Sequence, residues 1–285
     1  MPGQLAALAA FLLTVVITLS HGPASPQQAR RLYRVGALTG AWAPNHPAVE
    51  GLKAGLKELG FEEGRDVTFD IRFTEGKTEA FPAAAAALVN EFAHPGGNAS
   101  GVSGLFTELA PKRLEVLKAV IPTLRRVWAI YYADDPQSLA ATRKAEEAAP
   151  PLKVELVARP VRTPEELASS LKAVRRGDGL IAPDVAALDI PDQILQKSLS
   201  ARIPVVFGTA FWAGYGALVS YGADYHAQGR QAARLVAKIL RGVHPQDLPV
   251  EGANKIELVI NLKTAKRLGV TIPREILLRA DKVIE

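Results

Sequence analysis

Tyr33-Arg34-Val35-Gly36-Ala37-Leu38 opens the stretch that decides the fold. It reads as a short apolar strand, and the loop behind it carries Thr39, Gly40, Trp42, Pro44, Asn45 and Pro47. Val49, Leu52, Leu56 and Leu59 then recur at helical spacing along one face, and Gly60 ends the helix as a C′ glycine does. From Asp66 to Phe73 the pattern becomes alternation, with Val67, Phe69, Ile71 and Phe73 on one side, so a half-buried strand follows. Next come an alanine-rich helix from Thr78 to about Phe92 and a turn at His94-Pro95-Gly96-Gly97-Asn98. Gly101-Val102-Ser103-Gly104 reads as the closing strand of this first lobe.

The same strand-helix alternation continues downstream. A helix from about Thr107 to Val120 turns Leu109, Leu114, Leu117 and Val120 inward, and Pro122 stops it. Val127 to Tyr132 is a strand, Asp134-Asp135-Pro136 starts a helix, and Val154 to Val157 is a strand again. Thr163-Pro164-Glu165-Glu166 is a capping box with proline at the first helical position. Gly179 to Ala182, a helix through Ile194 and Leu199, Pro204 to Phe207 and Ala217 to Gly222 extend the series. A helix over Tyr225 to Leu240, a strand over Lys255 to Ile260 and a short helix near Thr264 to Leu268 close it. Repeated units of this kind build an α/β protein whose parallel sheets are covered on both faces.

With 285 residues, 48% hydrophobic and 22% charged, the chain is a packed globular protein long enough for two lobes. The net charge is +5, yet basic residues sit among acids, as in Lys112-Arg113-Leu114-Glu115, which reads as a solvated surface and not as a nucleic-acid footprint. The absence of cysteine excludes disulfides, thiolate metal sites, a cysteine nucleophile and a lipoprotein anchor. Leu5 to Leu19 is an apolar block shorter than the ~20 residues a membrane span needs. It leads into Gly22-Pro23-Ala24, a small-residue cleavage site, so residues 1–24 read as a signal peptide of an exported protein, the alternative being an uncleaved anchor. Met1-Pro2-Gly3-Gln4 carries no Lys or Arg, so the positive n-region rests on the α-amino group, or the true start lies upstream.

Catalytic patterns are missing. Gly36-Ala37-Leu38-Thr39-Gly40 lacks the spacing of a dinucleotide loop, no phosphate loop of the G-x-x-x-x-G-K type occurs, and Gly101-Val102-Ser103-Gly104 falls one residue short of a nucleophile elbow. His21, His46, His94, His226 and His244 include no i,i+4 pair and lie mainly in loops, where solvated side chains are the default. The reading is therefore of a protein with no catalytic residue, no metal and no cofactor. What remains is a set of aromatic and polar residues just after strand ends. They are Thr39, Trp42, Asn45, Ser103, Phe106, Tyr131, Asp135, Asp184, Phe211, Trp212, Tyr221 and Asp224. In doubly wound sheets such loops share one edge, so two facing lobes would gather them around a common cleft. The aromatics suit stacking and the acids an ammonium group, although Asp135 before Pro136 also suits a helix cap and Trp212 also suits packing.

Several stretches resemble the ABC transporter substrate-binding proteins of the tryptophan- and tyrosine-type family. They include Gly51-Leu52-Lys53-Ala54-Gly55-Leu56-Lys57-Glu58-Leu59-Gly60, His94 to Asn98 running into Gly101-Val102-Ser103, and Lys112-Arg113-Leu114-Glu115-Val116-Leu117-Lys118. Val219-Ser220-Tyr221-Gly222, Leu248-Pro249-Val250-Glu251 and Glu257 to Lys266 continue it, so nearly all of the mature chain is covered. The resemblance implies a type I periplasmic binding fold, with two doubly wound lobes joined by a hinge that close on a small organic solute such as an amino acid. It also implies a periplasmic protein that hands the solute to an ABC permease and ATPase, expected here as a monomer and, for want of a cysteine, without a lipid anchor. On this reading the first lobe comprises 30–106 plus about 222–285, and the second 107–221.

The chain departs from the family between Phe92 and His94. About two strand-helix units, roughly 40 residues by the usual size of such units, are missing there. The strand near Gly101 must then pair beside Tyr33 to Leu38 or leave an open edge, and recognition shifts toward the second lobe. Two alternatives follow: a degenerate paralogue that binds nothing, and a cytoplasmic ligand sensor of similar fold. The sensor needs a DNA-binding helix pair ahead of Tyr33, where the apolar block stands instead.

Overall fold

The computed structural model describes residues 14–18, 32–39, 46–73, 100–182 and 190–285. In the first part of the chain lie β1 (Thr14–Thr18), β2 (Tyr33–Thr39), α1 (Pro47–Glu58), β3 (Val67–Phe73) and β4 (Val102–Ser103). There follow α2 (Phe106–Val120), β5 (Arg126–Tyr132), α3 (Pro136–Ala148), β6 (Glu155–Val161), α4 (Pro164–Ala173), β7 (Asp178–Ile181), α5 (Ile190–Ala201) and β8 (Val205–Phe207). The last elements are β9 (Val219–Ala223), α6 (Tyr225–Leu240), β10 (Glu251–Gly252), β11 (Ile256–Asn261), α7 (Leu262–Leu268), α8 (Arg274–Leu277) and β12 (Lys282–Ile284). The expected helix from Thr78 to Phe92 and the turn from His94 to Asn98 lie outside the described residues.

Two compact units share the chain: Met1–Gly104 with Tyr225–Asn254, and Leu105–Asp224 with Lys255–Glu285. Residues 255–285 thus belong to the second unit and not, as the sequence predicts, to the first lobe. The reason is pairing: β11 lies antiparallel to β9, from Ile256↔Ala223 to Ile260↔Val219, and carries β12 on its other side.

In the first unit β2 and β3 run parallel in the register Tyr33↔Val67 to Thr39↔Phe73, and β1 pairs antiparallel with β2 from Thr14↔Leu38 to Thr18↔Arg34. β1 lies within the apolar block read as a leader, and it takes the free edge of β2. The strand near Gly101 does not pair beside β2, whose two sides are taken by β1 and β3. β4 pairs in parallel with β10, Glu251↔Val102 and Gly252↔Ser103. Buried glutamines of α6 fasten this ladder: Gln228 Nε2 donates to Val102 O at 3.0 Å, and Gln231 Nε2 donates to Gly252 O at 2.9 Å.

Local chemistry sets the bounds of α1. At its C-terminal end Gly60 takes φ 90°, and Phe61 N–H donates to Leu56 O at 2.9 Å, the closing bond of a Schellman motif. At its start Pro47 occupies the first turn and the Nδ1 of His46 accepts from Ala48 N–H at 3.2 Å. His46 is therefore a cap and not a solvated loop residue; its ring stands 4.9 Å from that of Tyr225, and burial pushes its pKa down to about 4. A neutral imidazole in the fold must stay unprotonated where the unfolded chain, at pKa 6.5, already binds a proton. Stability is hence full above pH 6.5 and falls as the pH drops through 4, by about 3 kcal/mol at most from this group. His46→Asn keeps a capping oxygen without a titrating group, so urea midpoints measured across that pH range should show a flatter profile for the variant.

The second unit is one seven-stranded sheet in the order β12-β11-β9-β8-β7-β5-β6. β5 to β9 are parallel, and helices cover both faces. Ala110, Leu114 and Leu117 of α2, Ala141 and Ala145 of α3, and Ala265 and Leu268 of α7 build a core on one face. Leu167 and Leu171 of α4, with Ile194 and Leu195 of α5, build another around Trp128, Leu180 and Phe207. Thr163 caps α4 as expected, its Oγ1 accepting from Glu166 N–H at 3.2 Å, while the Glu166 carboxylate reaches one residue further back and accepts from Arg162 N–H at 2.7 Å. No described helix is long and apolar enough to cross a membrane.

Candidate functional site

Parallel strands deliver their C-terminal ends to one edge of the sheet, and in the second unit this edge collects the residues just past β5, β8 and β9. β11 starts there too, because it runs antiparallel to β9.

Arg113 organises this edge. The sequence pattern predicts a solvated surface charge here and an inward Leu109; in the structure Leu109 is half-buried and Arg113 is 2% exposed. Its position on α2 follows Ala110 by one turn and precedes Leu117 by another, so it lies on the buried stripe. The charge is tolerated there because each of its three nitrogens donates to a backbone carbonyl. Nε donates to Tyr221 O at 3.0 Å, Nη1 to Phe106 O at 3.1 Å and Nη2 to Gly208 O at 3.2 Å. The guanidinium carbon also stands 4.3 Å from the centre of the Phe106 ring, within cation–π range. Phe106 and Tyr221 are both half-buried, and one side chain binds the backbone of each.

The backbone is crowded at the same point. A Cβ added to Gly222 would lie 1.6 Å from Gly208 O, so the chain leaving β8 lies directly against β9. One residue on, the Thr209 hydroxyl is buried without a hydrogen-bond partner, as is that of Ser220 on β9. Native folds pair most such groups, so both hydroxyls have unused hydrogen-bonding capacity, and that of Thr209 lies just past the end of β8.

The remaining predicted residues divide clearly. Asp224 accepts from Lys255 Nζ at 2.7 Å, and Asp224 N–H donates to Lys255 O at 3.1 Å, so this acid already holds an ammonium group. Asp224 and then Glu257 hold the Lys255 pKa above its usual range. Asp135 caps α3, its two oxygens accepting from Gln137 N–H and Ser138 N–H, each at 3.1 Å. Tyr131 is the penultimate residue of β5, three strands from Tyr221 in the sheet order, or roughly 14 Å at the usual strand spacing. Trp212 lies on the 3-10 turn Ala210–Tyr215, which returns the chain from β8 to the start of β9. Its ring is 5.7 Å from that of Phe207, and the turn is held by Asn261 Nδ2 donating to Ala213 O at 2.8 Å. The side chain of Phe211, on the same turn, lies outside the described residues. Ser103 belongs to the first unit, where its carbonyl accepts from Ala253 N–H at 2.8 Å. Thr39 ends β2, and its side chain lies outside the described residues, as do Trp42, Asn45 and Asp184 altogether. Among the described residues no group of His, Asp and Glu is placed to hold a metal ion.

Comparison with known proteins agrees with this architecture. A tyrosine-binding protein of Clostridioides difficile is 27% identical over 190 residues, 65% of this chain and 54% of that protein, so the chain spans about half the length of this curated relative. A conserved domain protein of Vibrio cholerae superposes with a TM-score of 0.74 at 22% identity, covering 88% of this chain and 99% of the other. The ABC domain of a Streptococcus pneumonia protein, solved in complex with L-Trp, superposes with a TM-score of 0.71 at 20% identity, covering 87% and 98%. These two structures share the type I periplasmic binding fold. Residues 78–284 match the family of ABC transporter substrate binding proteins, a family of binding proteins and not of enzymes. The chain therefore belongs to the ABC transporter substrate-binding protein family.

Proposed function

We propose that this chain is the extracytoplasmic solute-binding component of an ABC importer, taking an amino acid or a related small organic molecule. The observation that carries the reading is the strand edge of the second unit, where Arg113 binds the carbonyls of Phe106, Tyr221 and Gly208, the last one residue ahead of the buried Thr209 hydroxyl, in a chain of this family. Half-buried rings there suit the face of an aromatic side chain. A tyrosine-binding relative and a structural neighbour holding L-Trp point to the same class of solute. Because Asp224 and Asp135 are engaged by Lys255 and by α3, recognition rests on rings, hydroxyls and backbone groups more than on free carboxylates. Export through the leader at 1–24, a first unit short of about two strand-helix units, delivery to a permease and ATPase, and a monomeric state belong to this proposal.

A thermal-shift screen against the natural amino acids and aromatic acids tests it. A ligand at a hundred times its Kd stabilises by about 2.7 kcal/mol. The melting temperature should therefore rise by about 5–10 °C for tyrosine, tryptophan or a close analogue. No rise with any of these compounds would count against the binding reading.

A further inference from the structure

We infer that Arg113 is the positioning residue of the solute site, an inference that rests on the binding reading above. The chain enters the second unit at Leu105 and leaves it at Asp224. Arg113 binds the carbonyl of Phe106 at the entry and of Tyr221 near the exit. Its third bond, to Gly208 O, fixes the peptide that precedes Thr209 and lies against Gly222. One planar cation thus sets the spacing between two aromatic residues and a buried hydroxyl that come from three separate segments. Hydrophobic packing does not do this, since carbonyl oxygens define direction as well as distance. A lysine at the same place keeps the charge but presents a single ammonium, which lacks the fork needed to meet three diverging carbonyls. Arg113 acts on this site through the backbone carbonyls it binds and through the Phe106 ring, so the effect on affinity inferred here is indirect.

The test compares the full chain with Arg113→Lys by calorimetric titration with L-tyrosine and L-tryptophan, well below the melting temperature and with cooperative unfolding checked for each protein. We expect Arg113→Lys to fold and to bind about tenfold or more weakly, because a site held loosely loses affinity even with every contacting residue present. A folded Arg113→Lys protein with wild-type Kd would overturn the inference and leave the binding reading intact. A wild-type chain that binds neither amino acid overturns both. Hydrogen exchange on the wild-type chain supplies a measurement independent of variant folding. Saturating L-tyrosine or L-tryptophan should slow exchange in 106–113, 207–210 and 220–224 together, whereas protection of one segment without the others contradicts a shared clamp.

Discussion

Gly222→Val is expected to cost the second unit about 4 kcal/mol or more, a large share of the 5–15 kcal/mol that holds an ordinary domain. The new Cβ would fall 1.6 Å from Gly208 O and 2.6 Å from Gly208 C, both backbone atoms that no rotamer change can clear. Either β8 and β9 separate, breaking the pairs Val206↔Val219 and Phe207↔Ser220, or the Gly208 peptide turns and abandons Arg113 Nη2. Each route leaves buried polar groups unpaired, at about 1–3 kcal/mol apiece. Urea unfolding followed by tryptophan fluorescence reads the effect, since Trp128 and Trp212 both lie in this unit. Gly214→Ala in the neighbouring turn is the control. A Cβ there meets nothing within 4 Å, so the midpoint should not move. An unchanged midpoint for Gly222→Val would contradict the close approach of these two segments.

Gly229→Val should have a comparable effect on the first unit. Its Cβ would lie 2.0 Å from Ala48 O and 2.8 Å from Leu52 N, and the reciprocal residue, Gly51, faces His226 O at 2.0 Å. Helices α1 and α6 therefore pack at backbone contact, with Gly55 against the Ala233 methyl one turn further along. A branched side chain forces the helices apart by more than an atomic radius and strips the contacts of Leu52 and Leu56, which are fully buried. We expect a loss of about 3 kcal/mol or more, seen as a lower helical melting temperature by circular dichroism. Gly229→Ala should lie between, since its single methyl meets the same carbonyl. If Gly229→Val melts with wild-type stability, the helices are not in backbone contact.

Much of this was legible residue by residue. The Gly60 stop, the Thr163 cap, the strand at Tyr33 and the helix over Tyr225 to Leu240 follow from side-chain periodicity and from capping groups within a few residues of the element they bound. The α1–α6 contact also leaves a trace in the sequence. Gly51 and Gly55 inside a helix cost about 1 kcal/mol each in propensity, a cost that a close backbone approach on the same face explains. Arg113 left no such trace. An arginine between Lys112 and Leu114 has the same local pattern whether it faces water or a buried fork of carbonyls, and two of its acceptors lie 108 and 95 residues away. The acids were misleading in the opposite way. Asp224 after a strand looks like a free ligand group until Lys255, brought next to it by β11, is seen to occupy it.

By itself, then, the sequence determined the α/β class, the order and bounds of most elements and the binding-protein family, because helices, strands and caps are set by neighbours along the chain. Only the tertiary structure decided that β4 joins β10, that 255–285 completes the second sheet, and that Arg113 ties Phe106, Gly208 and Tyr221 into one strand-edge cluster. Those outcomes depend on which backbone groups remain unpaired after the local elements form, and hydrogen bonds between distant segments are satisfied by the fold as a whole.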